Sequence, residues 1–90
     1  MSEKPAPRAR RIIDAGKTLA GARWQSALSR ASGISQSYLA MIASGERPMT
    51  DEVEDKVVAA LGKEIARLGK TAERLAEIQG RILAARETGR

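Results

Sequence analysis

The chain has ninety residues, a net charge of +5, and no Cys, His or Phe. That makes one small domain with a limited core, and it excludes disulfides, thiolate metal sites, cysteine nucleophiles and the commonest general base. Trp24 and Tyr38 are the only aromatics, too few for a stacking platform on single-stranded nucleic acid.

Met1 to Pro7 reads as a polar tail, and it lacks the apolar core of a signal peptide. The wholly apolar runs, such as Val57 to Leu61, are far below a membrane span. A cytoplasmic protein is therefore the default. The basic excess sits at the front. Lys4, Arg8, Arg10, Arg11, Lys17 and Arg23 face only Glu3 and Asp14 in the first 23 residues, whereas residues 51–90 are balanced. Arg8, Arg10 and Arg11 are either solvated charges or a flexible arm that reaches phosphates or a minor groove.

Arg8 to Ala20 predicts helix 1, with Pro7 placed to start it and Gly21 to end it. Ala9, Ile12, Ile13, Gly16, Leu19 and Ala20 form its apolar stripe. Trp24 to Ser32 predicts helix 2, where Trp24, Ala27, Leu28 and Ala31 share one face and Trp24 serves as a core anchor. Gly33 supplies the left-handed residue of a sharp helix exit. Ile34 anchors the turn, and Ser35 caps helix 3, which runs to Ser44 and closes at Gly45. Leu39 and Ile42 point inward with the ring of Tyr38. Ser37, Ala40, Met41 and Ser44 point outward, with Gln36 beside them. No residue from Ala31 to Gly45 is charged. An outer face that is small, uncharged and hydrogen-bonding suits a close-fitting groove, and the major groove of B-DNA admits such a helix.

These residues carry a resemblance. Gln25, Leu28, Gly33, Ile34, the Ser35–Leu39 run, Ile42, Ser44–Gly45 and Arg47–Pro48 resemble the helix-turn-helix of the lambda Cro/repressor-type regulators of phage and bacteria. The resemblance covers roughly Arg10 to Leu61, and it departs from the family pattern at Ser29 and Ser32, both small enough to fit. It implies an all-α, four- to five-helix bundle that binds double-stranded DNA, and it places the Gly45–Met49 loop on the DNA backbone. The residue chemistry then divides the work. Gln36, Ser37, Ala40 and Met41 are candidates for base edges: a Gln pairs bidentately with adenine, and apolar groups meet a thymine methyl. Gln25, Ser35, Tyr38, Ser44 and Arg47, with Arg23 and Arg30, are candidates for phosphates.

Thr50 caps helix 4, and Asp51, Glu52 and Glu54 complement its positive N-terminal dipole. Beyond it, Leu61, Leu68, Leu75 and Ile82 recur every seven residues, and Val58, Ile65, Ala72 and Gln79 precede each by three. This is an a/d seam of four heptads. Gly62, Gly69 and Gly80 weaken a helix here, so the segment is either one helix from 51 to about 86 or two, broken near Gly69 with Thr71 as a fresh cap. The organisation expected is a tail over 1–7, a DNA-binding domain over 8–60 and a helical dimerisation segment over 61–90. Leu61, Ile65, Leu68, Ala72, Leu75, Ile78, Gln79 and Ile82 are the dimer-seam candidates. A homodimer would read a pseudo-palindromic operator with half-sites about 34 Å apart, most simply as a repressor.

Two other classes stay open. The chain could be an antitoxin or an adaptor whose C-terminal helix binds a protein partner. It could instead fold that helix back on its own domain. Catalysis is not expected, nor a cofactor or metal. Asp14, Lys17, Glu46 and Lys63 show no spacing of a shared pocket, and Gly16–Thr18 lacks the first glycine of a phosphate loop, since position 11 is Arg.

Overall fold

The computed structural model describes residues 7–88. Those residues form four α-helices and no strand: α1 (Pro7–Ala20), α2 (Trp24–Ser32), α3 (Gln36–Ser44) and α4 (Asp51–Glu87), with a single 3-10 turn at Gly21–Arg23 between α1 and α2. The tail expected over 1–7 lies outside the described residues except for Pro7, which already opens α1.

Local chemistry explains each boundary. Gly21, Gly33 and Gly45 all take positive φ, and the last two close α2 and α3. The Ser35 side chain accepts a hydrogen bond from the Tyr38 N–H at 3.1 Å, and Thr50 Oγ1 accepts one from the Val53 N–H at 3.2 Å. Each occupies a donor that the first turn of a helix leaves orphaned. Ser32 stands where the resembled family favours Leu. Here its hydroxyl donates to the Leu28 carbonyl at 2.6 Å and accepts from the Ile34 N–H at 3.2 Å. The hydroxyl thus stitches the turn instead of filling the core.

Ala9 and Ile12 of α1, Trp24 and Leu28 of α2, Ile34 of the turn, Leu39 and Ile42 of α3, and Val53 and Val57 of α4 make one buried cluster. Leu28, Leu39 and Val57 are sealed completely. The first three helices and the N-terminal third of α4 thus form a compact head. The rest of α4 projects from it, which stretches the molecule to 63 × 27 × 19 Å.

The alternative of a break near Gly69 is resolved in favour of one helix of 37 residues. Thr71 does not cap a new helix. Its hydroxyl donates back to the Arg67 carbonyl at 3.0 Å, the ordinary position of a mid-helix threonine. Ion pairs between Arg67 and Glu64 and between Arg74 and Glu77 brace the exposed surface. Nor does α4 fold back on the head. Ile65, Leu68, Leu75, Ile82 and Leu83 remain exposed along it.

One glycine is required by packing. A Cβ on Gly16 would lie 2.7 Å from Cε3 of Trp24, too close for any side chain without movement of the indole. Gly80 meets nothing within 4 Å. Gly16→Ala is therefore expected to destabilise the fold by about 1–3 kcal/mol through overpacking. Gly80→Ala is expected to stabilise it by about 1 kcal/mol through helix propensity. Urea unfolding of the two variants, followed by circular dichroism, should show shifts of opposite sign.

Candidate nucleic-acid interface

The candidate surface is built from the starts of α2 and α3. Packing Trp24 into the core puts the next residue, Gln25, on the rim of the head at the first turn of α2. The tight Gly33–Ser35 turn then brings Gln36, the first residue of α3, beside it. Arg23, Gln25, Ser26 and Gln36 line one shallow depression of about 470 Å³ with Ala22 and Trp24. Three of these polar residues were legible in the sequence. Ser26 was not, because its place depends on how α2 is seated rather than on any motif.

Along α3 the two faces separate as the periodicity requires. Leu39 and Ile42 are buried. Gln36, Ser37 and Ser44 are exposed, and Ala40 and Met41 are half-buried beside them. Tyr38 packs its ring partly against the core, and the Arg47 guanidinium sits 6.0 Å from the ring centre. That contact steadies an exposed arginine at the edge of the surface.

The electrostatics are asymmetric in a way that bears on ligands. α4 has three acidic residues in its first turn, while α1, α2 and α3 have none. The positive ends of the α2 and α3 dipoles are therefore uncompensated, and each also presents backbone N–H groups. Ser35 Oγ already accepts the cap hydrogen bond, so its own proton remains free to donate, with Ser37 Oγ 3.5 Å away. Arg23, Arg30 and Arg47 are exposed: Arg23 lines the depression, Arg47 adjoins Tyr38, and Arg30 lies farther off, in a hollow shared with Glu64 and Arg67 of α4. Arg30 makes only a long contact, 3.4 Å, to Ser26.

Two expected contacts need correction. Arg8 is not part of a free arm. Its Nε donates to Glu54 at 2.8 Å and its Nη2 to Asp51 at 2.7 Å, so it clamps the start of α1 to the start of α4. A guanidinium forked between two carboxylates is a strong local arrangement, and Arg8 is held firmly protonated by it. Arg10 and Arg11 stay exposed, but on a formed helix rather than on a flexible segment. The second correction concerns Ser44. Its hydroxyl lies 3.1 Å from the Met41 carbonyl and 3.0 Å from a Glu46 carboxylate oxygen, which already engage its proton. The Glu46 carboxylate beside it makes this an unfavourable place for a phosphate.

The seam candidates fall in two groups. Leu61 is half-buried under the head, with Val57 and Ala60 preceding it into the core. Ile65, Leu68, Ala72, Leu75, Ile78, Gln79 and Ile82 are exposed. Among the described residues no group of His, Cys, Asp or Glu is arranged to hold a metal. No described helix is long and apolar enough to cross a membrane.

Comparison with known proteins gives no guide: no family model, curated protein or solved structure matches the chain.

The Arg8 clamp has a pH signature. The hydrogen bond from Arg8 and, secondarily, its charge hold the Glu54 carboxyl below the usual carboxylate value of 4.5. A carboxyl that is more acidic when folded contributes stability above its unfolded value, and that contribution is lost as pH falls through the lower folded value. Stability measured by urea unfolding should thus drop below about pH 4.5. An Arg8→Met variant should be less stable at pH 7 and should show a shallower drop.

Proposed function

We propose that the chain is a sequence-specific double-stranded DNA-binding regulator, most simply a repressor, that works as a homodimer and reads the major groove with α3. The head is then a helix-turn-helix unit, α2 and α3 its two signature helices. The observation that carries this reading is the joint placement of Gln25, Gln36 and Arg23 around one depression at the adjoining starts of α2 and α3. Gln36, Ser37, Ala40 and Met41 occupy the outward side of α3 next to it.

The mechanism is binding without chemistry. Arg23, Arg30 and Arg47 supply attraction from around the reading helix, while the uncharged α3 supplies selectivity. Phosphate contacts by these arginines, Gln25 and the Ser35 and Tyr38 hydroxyls fix the register. A neutral reading helix has a physical advantage. It is not drawn equally to every phosphate, so its energy depends on base edges rather than on charge alone. Arg10 and Arg11 add basic charge from α1.

Dimerisation is supported by the apolar side chains that α4 leaves in solvent. Val58, Ile65, Leu68, Leu75, Ile82 and Leu83 are each about half exposed or more. Such a row is costly in water, and burying it stabilises an assembly by roughly 1.5–3 kcal/mol per fully buried side chain. A second reading, an adaptor whose α4 binds an unlike protein, draws on this same exposed row. The uncompensated helix starts and the arginines around α3 favour DNA.

Gln36→Ala is expected to cost about 1–3 kcal/mol of discrimination at one base pair, with random-sequence affinity unchanged. Arg47→Ala is expected to weaken operator and random DNA alike and to reduce the salt slope by about one. Selection of a preferred site from a random DNA pool, followed by fluorescence anisotropy titrations at several salt concentrations, would measure both. Equal losses on both DNAs for both variants would exclude this division of labour. Failure to select any site would move the function to α4.

A further inference from the structure

The seam on α4 is guarded at one end and bare at the other. In the half near the head, α1 stands alongside it. Ala15 and Leu19 of α1 look across an open groove of about 670 Å³ at Leu61, Ile65 and Leu68 of α4, and Arg11, Asp14, Glu64 and Arg67 supply its charged lining, balanced in sign. The groove is long, apolar-floored and open. Beyond Leu68 no element of the chain accompanies α4, and Leu75, Ile78, Ile82 and Leu83 project from a naked helix. The same chain therefore carries an apolar groove on one half of a helix and an apolar ridge on the other half.

Resting on the homodimer reading above, we infer that two copies of this chain pair antiparallel through α4, the naked end of each helix lying in the α1–α4 groove of the other. The first reason is steric. A parallel pair would bring two copies of α1 to the same stretch of seam, beside Leu61 and Ile65 of both chains. An antiparallel pair brings to each groove only a helix that has no neighbour of its own. A two-fold then makes two identical contacts from one complementary pair of surfaces, the rule for an isologous dimer.

The second reason is side-chain volume. In the heptad register that sets Ile65 against Ile82 of the second copy, Leu68 meets Gln79 and Ala72 meets Leu75. Every layer from 65 to 82 then contains at least one Leu or Ile. A parallel pair would set Ala72 against Ala72 and Gln79 against Gln79, leaving two layers small or polar on both sides. The third reason is the glycines. Gly62 and Gly69 interrupt a long helix, yet a Cβ on either would meet nothing within 4 Å in this chain. Glycine is unfavourable in a helix interior, and no neighbour in this chain requires it at these two positions. In the same antiparallel register Gly62 falls opposite Ala85 of the second copy and Gly69 opposite Ile78, so each glycine receives a neighbour it lacks in the single chain.

The arrangement sets the spacing of the two reading helices. The two-fold falls between residues 73 and 74, and α3 sits near the start of α4, where Tyr38 and Ile34 adjoin Val53. At ~1.5 Å per residue the two α3 helices lie about 60–65 Å apart along the rod. That is close to two turns of B-DNA, about 70 Å, rather than the single turn of ~34 Å that a side-by-side dimer would favour.

The chain has no cysteine, so Glu87→Cys gives one spin-label site per copy, on an exposed position at the end of the bare segment. Pulsed dipolar spectroscopy without DNA, with mass measured by light scattering on the same sample, decides the matter. A dimer with a label separation of about 40 Å supports the antiparallel pair, from ~1.5 Å rise per residue on each side of the two-fold. A dimer with a separation below about 20 Å keeps the homodimer and overturns the antiparallel arrangement, since packed helix axes lie only ~8–10 Å apart. A monomer overturns both and leaves the face to an unlike partner. Gly69→Leu provides a second check, because a Cβ at this position meets nothing within 4 Å in the isolated chain. It should weaken dimerisation at least about ten-fold, roughly 1.4 kcal/mol, with helicity retained. Undiminished dimerisation by this variant would overturn the packing.

Discussion

The close approach of Trp24 to Gly16 is the contact on which the head depends. The indole sits so near the α1 backbone that only a residue without a Cβ fits beneath it. This fixes how α2 lies on α1, and it seats Leu28, which is fully buried, at the centre of the core. Two further consequences reach the surface. Gln25 is carried to the rim at the start of α2, and the turn through Gly33 and Ile34 delivers Gln36 beside it. A core this small has few alternatives, since losing one large side chain removes a substantial share of its buried apolar area. The pairing of the chain's only Trp with a helical Gly is therefore as much a determinant of the proposed reading surface as the residues on that surface.

Charge is organised around that surface by placement rather than by amount. α4 begins with three acidic residues and uses two of them, Asp51 and Glu54, to hold Arg8. α2 and α3 begin with none. The clamp removes one arginine from the pool available to a ligand while it fixes α1 against α4. Arg23 and Arg47 lie beside a neutral α3. In the proposed function, attraction and selectivity are thus carried by different side chains, which allows either to vary without rebuilding the other.

The projecting part of α4 follows a different logic from the head. Its helix is continuous through Gly62, Gly69 and Gly80 because i to i−4 hydrogen bonding and ion pairs such as Arg67–Glu64 sustain it in solvent. Its apolar row is not satisfied within the chain. The groove beside α1 and the ridge beyond it are complementary in shape, and both lie on one helix. Stability and, in the proposed reading, operator spacing would then share a single element.

Much of the local structure was legible in residue order. The caps at Ser35 and Thr50, the left-handed Gly33 and Gly45, the inward Leu39 and Ile42 and the outward Gln36 and Ser37 all follow from periodicity and turn chemistry, which act over a few residues. The all-helical class and the apolar seam were legible for the same reason. What sequence alone left open was settled by contacts between distant segments. Arg8 reads as arm or surface charge until Asp51 and Glu54 are brought beside it, more than forty residues away. Ser44 reads as a phosphate donor until its rotamer turns its proton toward Met41 and Glu46. Gly16 reads as one more member of the α1 apolar stripe until Trp24 is laid across it. Three glycines could have broken α4, and helix continuity decided otherwise, because none of them takes a positive φ there. Short-range periodicity and capping determine which elements form. Only the packed chain decides which polar groups remain free to meet a partner, because that depends on what each has already met at home.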